Sequence, residues 1–209
     1  MGLISNGTTI FDSGSMASGF GGSMVFIKKL TASSSATLSF VDGSSDVVLD
    51  NTYKEYVFTF NNIHPSADQE DLQFNMSADS GSNYNVTKTT TAFRAFHNEA
   101  GNDTNLSYHT GEDLAQGTGF QSIAYETDNA NDSGISGSLH LFNPSSTTFV
   151  KHFLAQTSSC LDGGATYGIY NLNFFTAGYG NTTSAVDAIR FQMSSGNIDA
   201  GDICLYGIA

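Results

Sequence analysis

Ile189-Arg190-Phe191-Gln192-Met193-Ser194-Ser195-Gly196-Asn197-Ile198-Asp199-Ala200-Gly201-Asp202-Ile203-Cys204-Leu205-Tyr206-Gly207-Ile208 decides how the chain is read. Ile189, Phe191 and Met193 alternate with Arg190 and Gln192, the period of two that puts apolar side chains on one face of a strand. Ile203, Leu205 and Gly207 alternate with Cys204, Tyr206 and Ile208, so the final strand is apolar on both faces and reads as a central strand. The intervening Ser194 to Gly201 is rich in residues that tolerate positive φ, and the stretch as a whole reads as a hairpin.

The same alternation recurs upstream, and helical periodicity is nearly absent. Residues 24 to 30 and 36 to 41 open the series. Tyr56, Phe58 and Phe60 share one face against Val57 and Thr59; Leu72, Phe74 and Met76 alternate with Gln73 and Asn75. Phe93 and Ala95 oppose Arg94 and Phe96, and Leu139 and Leu141 oppose His140 and Phe142. Pro65 and Pro144 each follow an aromatic strand; proline cannot donate to a ladder, so each marks a bend. The expectation is an all-β chain folded as an antiparallel β-sandwich.

The 209 residues suit one domain. Hydrophobic residues make up 39% and aromatics 12%, including 16 Phe and 9 Tyr, which excludes disorder because so much aromatic surface cannot stay in water. Only 13% of residues are charged, so the polar surface is mostly neutral Ser, Thr, Asn and Gly. The net charge is −13, and of seven basic residues only Lys28 and Lys29 are adjacent, which speaks against nucleic acid and anionic membrane as partners. The chain shows no basic leader, no apolar run of signal length and no run long enough to insert in a membrane, so synthesis in a cytosol is expected. Cys160 and Cys204 are too few for a disulfide framework and are expected to be reduced, buried thiols.

Residues 1 to 23 differ in kind. Gly14, Gly19, Gly21 and Gly22 with Ser13, Ser15, Ser18 and Ser23 describe a flexible arm that carries apolar Ile10, Phe11, Met16 and Phe20. Such an arm either docks on a neighbouring subunit or packs on its own domain. The division expected is a docking arm over 1–23 and a single sandwich over 24–209. Residues 98 to 134, dominated by Gly, Asn, Asp and Thr, read as exposed loops.

Catalytic, metal and cofactor signatures are missing from the sequence. Ile10-Phe11-Asp12-Ser13-Gly14 matches half of an aspartic-protease signature, but that chemistry needs two aspartates sharing a proton, and Asp132-Ser133-Gly134 follows no apolar strand. Acidic clusters at Asp42 to Asp46, Asp68 to Asp71 and Asp128 to Asp132 offer oxygen ligands, yet a calcium loop starting at Asp128 would place Leu139 where a bidentate Glu is required. No Gly-x-Ser-x-Gly occurs, and His64, His97, His109, His140 and His152 lack metal-binding spacing. His140 and His152 are placed to face each other across adjacent strands. The absence of Trp weakens both a hydrolase and a lectin reading.

Several stretches carry a resemblance: Ser5-Asn6-Gly7-Thr8-Thr9-Ile10, Tyr56-Val57-Phe58-Thr59-Phe60-Asn61-Asn62-Ile63-His64-Pro65, Phe142-Asn143-Pro144-Ser145, and above all Ser195 to Ile208. In these the chain resembles the small structural proteins of tailed bacteriophages, especially marine and cyanobacterial phages. The resemblance implies a jelly-roll-like sandwich, a place in the virion, partners among other capsid or tail proteins, and no catalytic residues. A homo-oligomer, for instance a trimer, is expected because sheet edges must be covered. The alternative expectation is a receptor-binding module whose 98–134 loops contact host-surface glycan.

Overall fold

The structure is a computed structural model that describes residues 3–6, 8–12, 15–16 and 23–209, with side chains at 4, 6 and 23–209. Three short strands come first: β1 (Leu3–Ser5), β2 (Thr8–Asp12) and β3 (Ser15–Met16), joined in one antiparallel sheet. The backbone of the expected arm therefore takes strand pairings, and Phe20 lies outside the described residues, as do the side chains of Ile10, Phe11 and Met16.

The rest is β4 (Met24–Thr31), β5 (Leu38–Val41), β6 (Glu55–Pro65), β7 (Leu72–Ser77), β8 (Lys88–Asn98), β9 (Thr104–Tyr108), β10 (Gln121–Ser122), β11 (Ile135–Phe142), β12 (Lys151–Asp162), the single helical turn α1 (Gly164–Tyr167), β13 (Ile169–Gly180), β14 (Ala188–Met193) and β15 (Ile198–Ile208). They form an eight-stranded sheet, ordered β4-β15-β6-β11-β12-β13-β8-β9, and a four-stranded sheet, ordered β10-β7-β14-β5. Every pairing is antiparallel, and the two sheets pack face to face as a sandwich.

The core follows from the alternation. Phe191 of the small sheet is fully buried, with its ring centroid 5.4 Å from Phe58 and 5.3 Å from Phe60 of the large sheet, and 6.3 Å from Phe40. Phe74 meets Phe153 at 4.9 Å and 81°. These are the edge-to-face distances that aromatic quadrupoles favour.

The C-terminal stretch corrects one expectation. β14 pairs with β5 and β7 in the small sheet, whereas β15 pairs with β4 and β6 in the large one, so the two strands are not a hairpin. The connection between them crosses the sandwich, and its amides are met by other segments: Ser194 N–H donates to Asp71 O and Asn197 N–H to Ser66 Oγ. Alternation reports that each segment is a strand and which face is apolar, not which neighbour it takes. The expectation that β15 lies inside a sheet is correct, since it has a strand on both sides.

Four strands cannot cover eight. Beyond β7, β14 and β5, the segment 109–128, which includes β10, runs first along the backbone edge of β8, where Thr90 N–H donates to Leu114 O and Gly117 N–H to Lys88 O, and then roofs the inner flank over β12, β13 and β8. Side chains pin this roof: Thr157 Oγ1 donates to Ile123 O (2.5 Å), Thr176 Oγ1 to Ser122 O (3.0 Å), and Thr90 Oγ1 to Gln121 Oε1 (2.6 Å).

Candidate interaction surface

The outer face of the large sheet carries the most unusual side chains. Strand register places Phe26, Tyr206, Val57, His140, Leu154, Ala177 and Thr91 in one row that crosses seven strands from β4 to β8. The next row runs Tyr108, Phe93, Phe175, Gln156, Ser138 and Thr59. Exposure is high for apolar residues: Leu106 70%, Phe26 57%, Leu154 53%, Tyr108 50% and Phe93 41%. The sequence explains how this happens. Strands such as β8 are apolar at both phases of the alternation, so one set fills the core and the other is left facing outward.

Phe93 and Phe175 stack face to face across β8 and β13, with centroids 4.8 Å apart and planes at 9°. They wall a shallow groove of about 360 Å³ that continues over Leu154, Ala177 and His140. A second hollow of about 400 Å³ shares Leu154 and Ala177 and extends to Phe142 and Tyr179. The face is poor in charge. Of the 20 acidic residues only Glu55, Asp162, Asp199 and Asp202 lie in the eight strands of this sheet, the first three near a strand end and Asp202 within β15, paired with Lys29. His140 Nδ1 stands 2.6 Å from Glu55 Oε1, and Lys29 Nζ 3.1 Å from Asp202 Oδ2.

Beside the aromatic groove lies an amide and hydroxyl strip. Asn171 Nδ2 donates to Ser158 Oγ at 3.3 Å, and Gln156 Nε2 to Asn173 Oδ1 at 3.5 Å. A hollow of about 260 Å³ opens over Ser138, Gln156 and Asn173. Gly137 at its edge must be glycine: its φ is +159°, and a Cβ there would meet the backbone oxygen of Gln156 at 2.2 Å.

Most residues singled out by sequence do not converge. His140 faces Leu154 and pairs with Glu55 rather than His152. His64 Nε2 stands 3.1 Å from Ala130 O, and its Nδ1 is 3.8 Å from Asp199. Asp42 accepts from Leu49 N–H (2.8 Å), and Asp128 from Ala130 N–H (3.2 Å) and Ser133 Oγ (3.3 Å), so these acids brace turns. Among the described residues no three or more His, Cys, Asp or Glu side chains gather at metal-binding distance. Both cysteines are free, Cys204 buried and Cys160 half-buried. No helix among the described residues is long and apolar enough to cross a membrane.

Asp71, Asp128, Lys88 and Lys151 are ionisable side chains buried in the structure, and the sequence marks Asp71 and Asp128 only as members of acidic clusters. Asp71, at the start of β7, is buried and accepts hydrogen bonds from Ser122 Oγ and Glu126 N–H, both at 2.8 Å. Burial raises its pKa to about 7; the Glu126 N–H works the other way, and the negative charge of Glu112 adds to the rise. Lys88 is wholly buried, donates to Asn75 Oδ1 (2.5 Å) and Val86 O (2.9 Å), and is pushed down to about 7 by burial. Lys88 had a signal: it stands in phase with inward-facing Thr90 and Ala92.

No protein-family model matches the chain, and no curated protein matches it either.

Proposed function

We propose that the protein is a non-enzymatic structural subunit of a tailed-phage particle, and that it works by assembly through the outer face of its large sheet. The observation that carries the assembly reading is the set of exposed apolar side chains on this face, Leu154, Phe93, Tyr108 and Leu106 with Phe26 toward the far edge, on a sheet whose strands hold only four carboxylates. Contiguous exposed apolar surface marks an interaction site. The occupant we assign is a second copy of this chain. Two molecules of net charge −13 repel wherever their acidic loops meet, and this neutral face is where they can approach. Seven strands at about 4.8 Å spacing span about 30 Å, and the two rows of side chains make roughly 400 Å² per copy, about half the ~800 Å² of a standard interface. The virion setting is supported by the likeness of the Ser195 to Ile208 stretch to phage structural proteins.

Leu154→Asp tests the assembly. Leu154 points outward, so the charge should leave the fold intact and convert an oligomer to a monomer in light scattering or sedimentation. A wild-type chain that is monomeric at every concentration would sink the reading. Immunogold labelling of virions, seen by electron microscopy, tests the location. The apolar arm residues Ile10, Phe11, Met16 and Phe20 are assigned a docking role on neighbouring virion proteins; loss of incorporation on deleting residues 1 to 23 from a chain that still folds is the expected result.

A second reading has its own observation. The Gln156, Asn173, Asn171 and Ser158 strip beside the Phe93 and Phe175 rings offers the amides and the apolar platform that a host-surface glycan needs. Binding on a glycan array that disappears in Gln156→Ala would favour it; an array without binding would end it.

A further inference from the structure

Arg94 occupies the opposite side of the same sheet. It alternates with outward-facing Phe93 and Ala95, so its side chain enters the space beneath the 109–128 roof. Its guanidinium carbon is 4.8 Å from the Tyr125 ring centroid and 5.3 Å from that of Phe96. No hydrogen bond or ion pair to Arg94 is present among the described residues, and its Nε is buried without a partner. The chain's other arginine differs: Arg190 lies over Tyr84 at 3.9 Å, but its Nε donates to Ser39 Oγ at 3.0 Å. Next to Arg94, His109 packs on the same Tyr125 ring at 4.3 Å, and its Nδ1 is likewise buried and unpartnered. Burial holds the His109 pKa below its ordinary value, with the Arg94 charge acting in the same direction.

A guanidinium with an unmet buried nitrogen is a costly arrangement that an acceptor bound at Arg94 would relieve. Arg94 lines a cavity of about 240 Å³, smaller than the roughly 300–1,000 Å³ that drug-sized ligands occupy. Phe96, Leu161 and Leu172 give it an apolar lining, and Asp103 and Glu126 supply acceptors. Tyr170 OH already donates to Asp103 Oδ2 at 2.7 Å, which orients that carboxylate. One fixed cation with two carboxylates disfavours a multiply charged anion. The set suits a single carboxylate laid against the guanidinium fork, whose other groups are donors.

We propose that this pocket binds a small carboxylate that also carries hydroxyl or amino donors, as an acidic monosaccharide or a free α-amino acid does. The carboxylate faces Arg94 and the donors face Glu126 and Asp103. This site lies across the sheet from the assembly face, so either assignment can fail without the other.

The chain has two arginines, which makes the test direct. In ¹⁵N-labelled full-length protein, the two arginine Nε–H resonances are assigned by Arg190→Lys. Glucuronate and N-acetylneuraminate form one titration arm, and leucine and phenylalanine the other; acetate and inorganic phosphate are controls. The expected result is a saturable shift of the Arg94 resonance with one arm, the Arg190 resonance remaining still, and the responding arm names the source. Calorimetry should show affinity weakened about tenfold or more in Arg94→Lys. If that variant does not fold, the wild-type titration decides alone. No saturable shift from either arm, or an equal response to acetate and phosphate, overturns the proposal.

Discussion

Asp71 and Lys88 are buried where no opposite charge meets them, and each makes stability depend on pH in a direction that can be worked out. The folded pKa of Asp71 is raised from 3.8 to about 7, so the molecule is favoured while Asp71 is protonated, and that contribution is lost as pH rises through this window. Asp71→Asn should flatten the fall in melting temperature between about pH 4 and 7, and at pH 8 should be more stable than the parent by roughly 1–3 kcal/mol. A variant that keeps the parent's pH dependence would show that Asp71 is not the titrating group. Lys88 has the mirrored sign. Its folded pKa is lowered from 10.5 to about 7, so the penalty of a buried ammonium is fully present below pH 7 and fades as pH climbs toward 10. Lys88→Met should therefore gain most over the parent at pH 6 and least at pH 9, measured by urea unfolding at both values. Lys88 and Arg94 could be placed on the inward face from sequence alone, but what surrounds an inward cation depends on which loop roofs it, and that is a long-range property.

At the scale of strands, what alternation encodes and what it omits can both be seen. Phe191, Phe58 and Phe60 were assigned to apolar faces, and the structure brings the three rings together from opposite sheets. Phe191→Ala removes a ring that contacts both sheets and should cost about 3–5 kcal/mol, seen as a lower denaturation midpoint with an unchanged slope. Strand partners were not legible: β14 and β15 looked like a hairpin because Ser194 to Gly201 has turn chemistry, yet a chain crossing between sheets needs the same residues. β13 was overlooked, although Tyr170, Leu172, Phe174 and Thr176 alternate with Asn171, Asn173 and Phe175. Its Gly and Asn content weakens the strand signal, and pairing with β12 along twelve residues and with β8 along eleven fixes it as a strand. The outer apolar row was hidden for the same reason. Register across seven strands assembles it, and single strands show only scattered aromatics.

For the molecule as a whole, the eight-strand ladder and the 109–128 roof should behave differently. Ladder amides are tied into a continuous cooperative network, whereas the roof is fastened by scattered backbone bonds to β8 and β7 and by the Thr90, Thr157 and Thr176 side chains. Deuterium exchange read by mass spectrometry should label peptides from 109–120 well before those of β12 and β13; equal protection would mean that sheet and roof open together.

The unequal width of the two sheets has an evolutionary corollary. A span of chain that closes over a flank with only two of its residues in the lattice of strands can be lengthened, shortened or rewritten while the frame beneath stays registered. What the enclosed chamber admits could thus diversify rapidly among related molecules whose scaffolds remain superimposable.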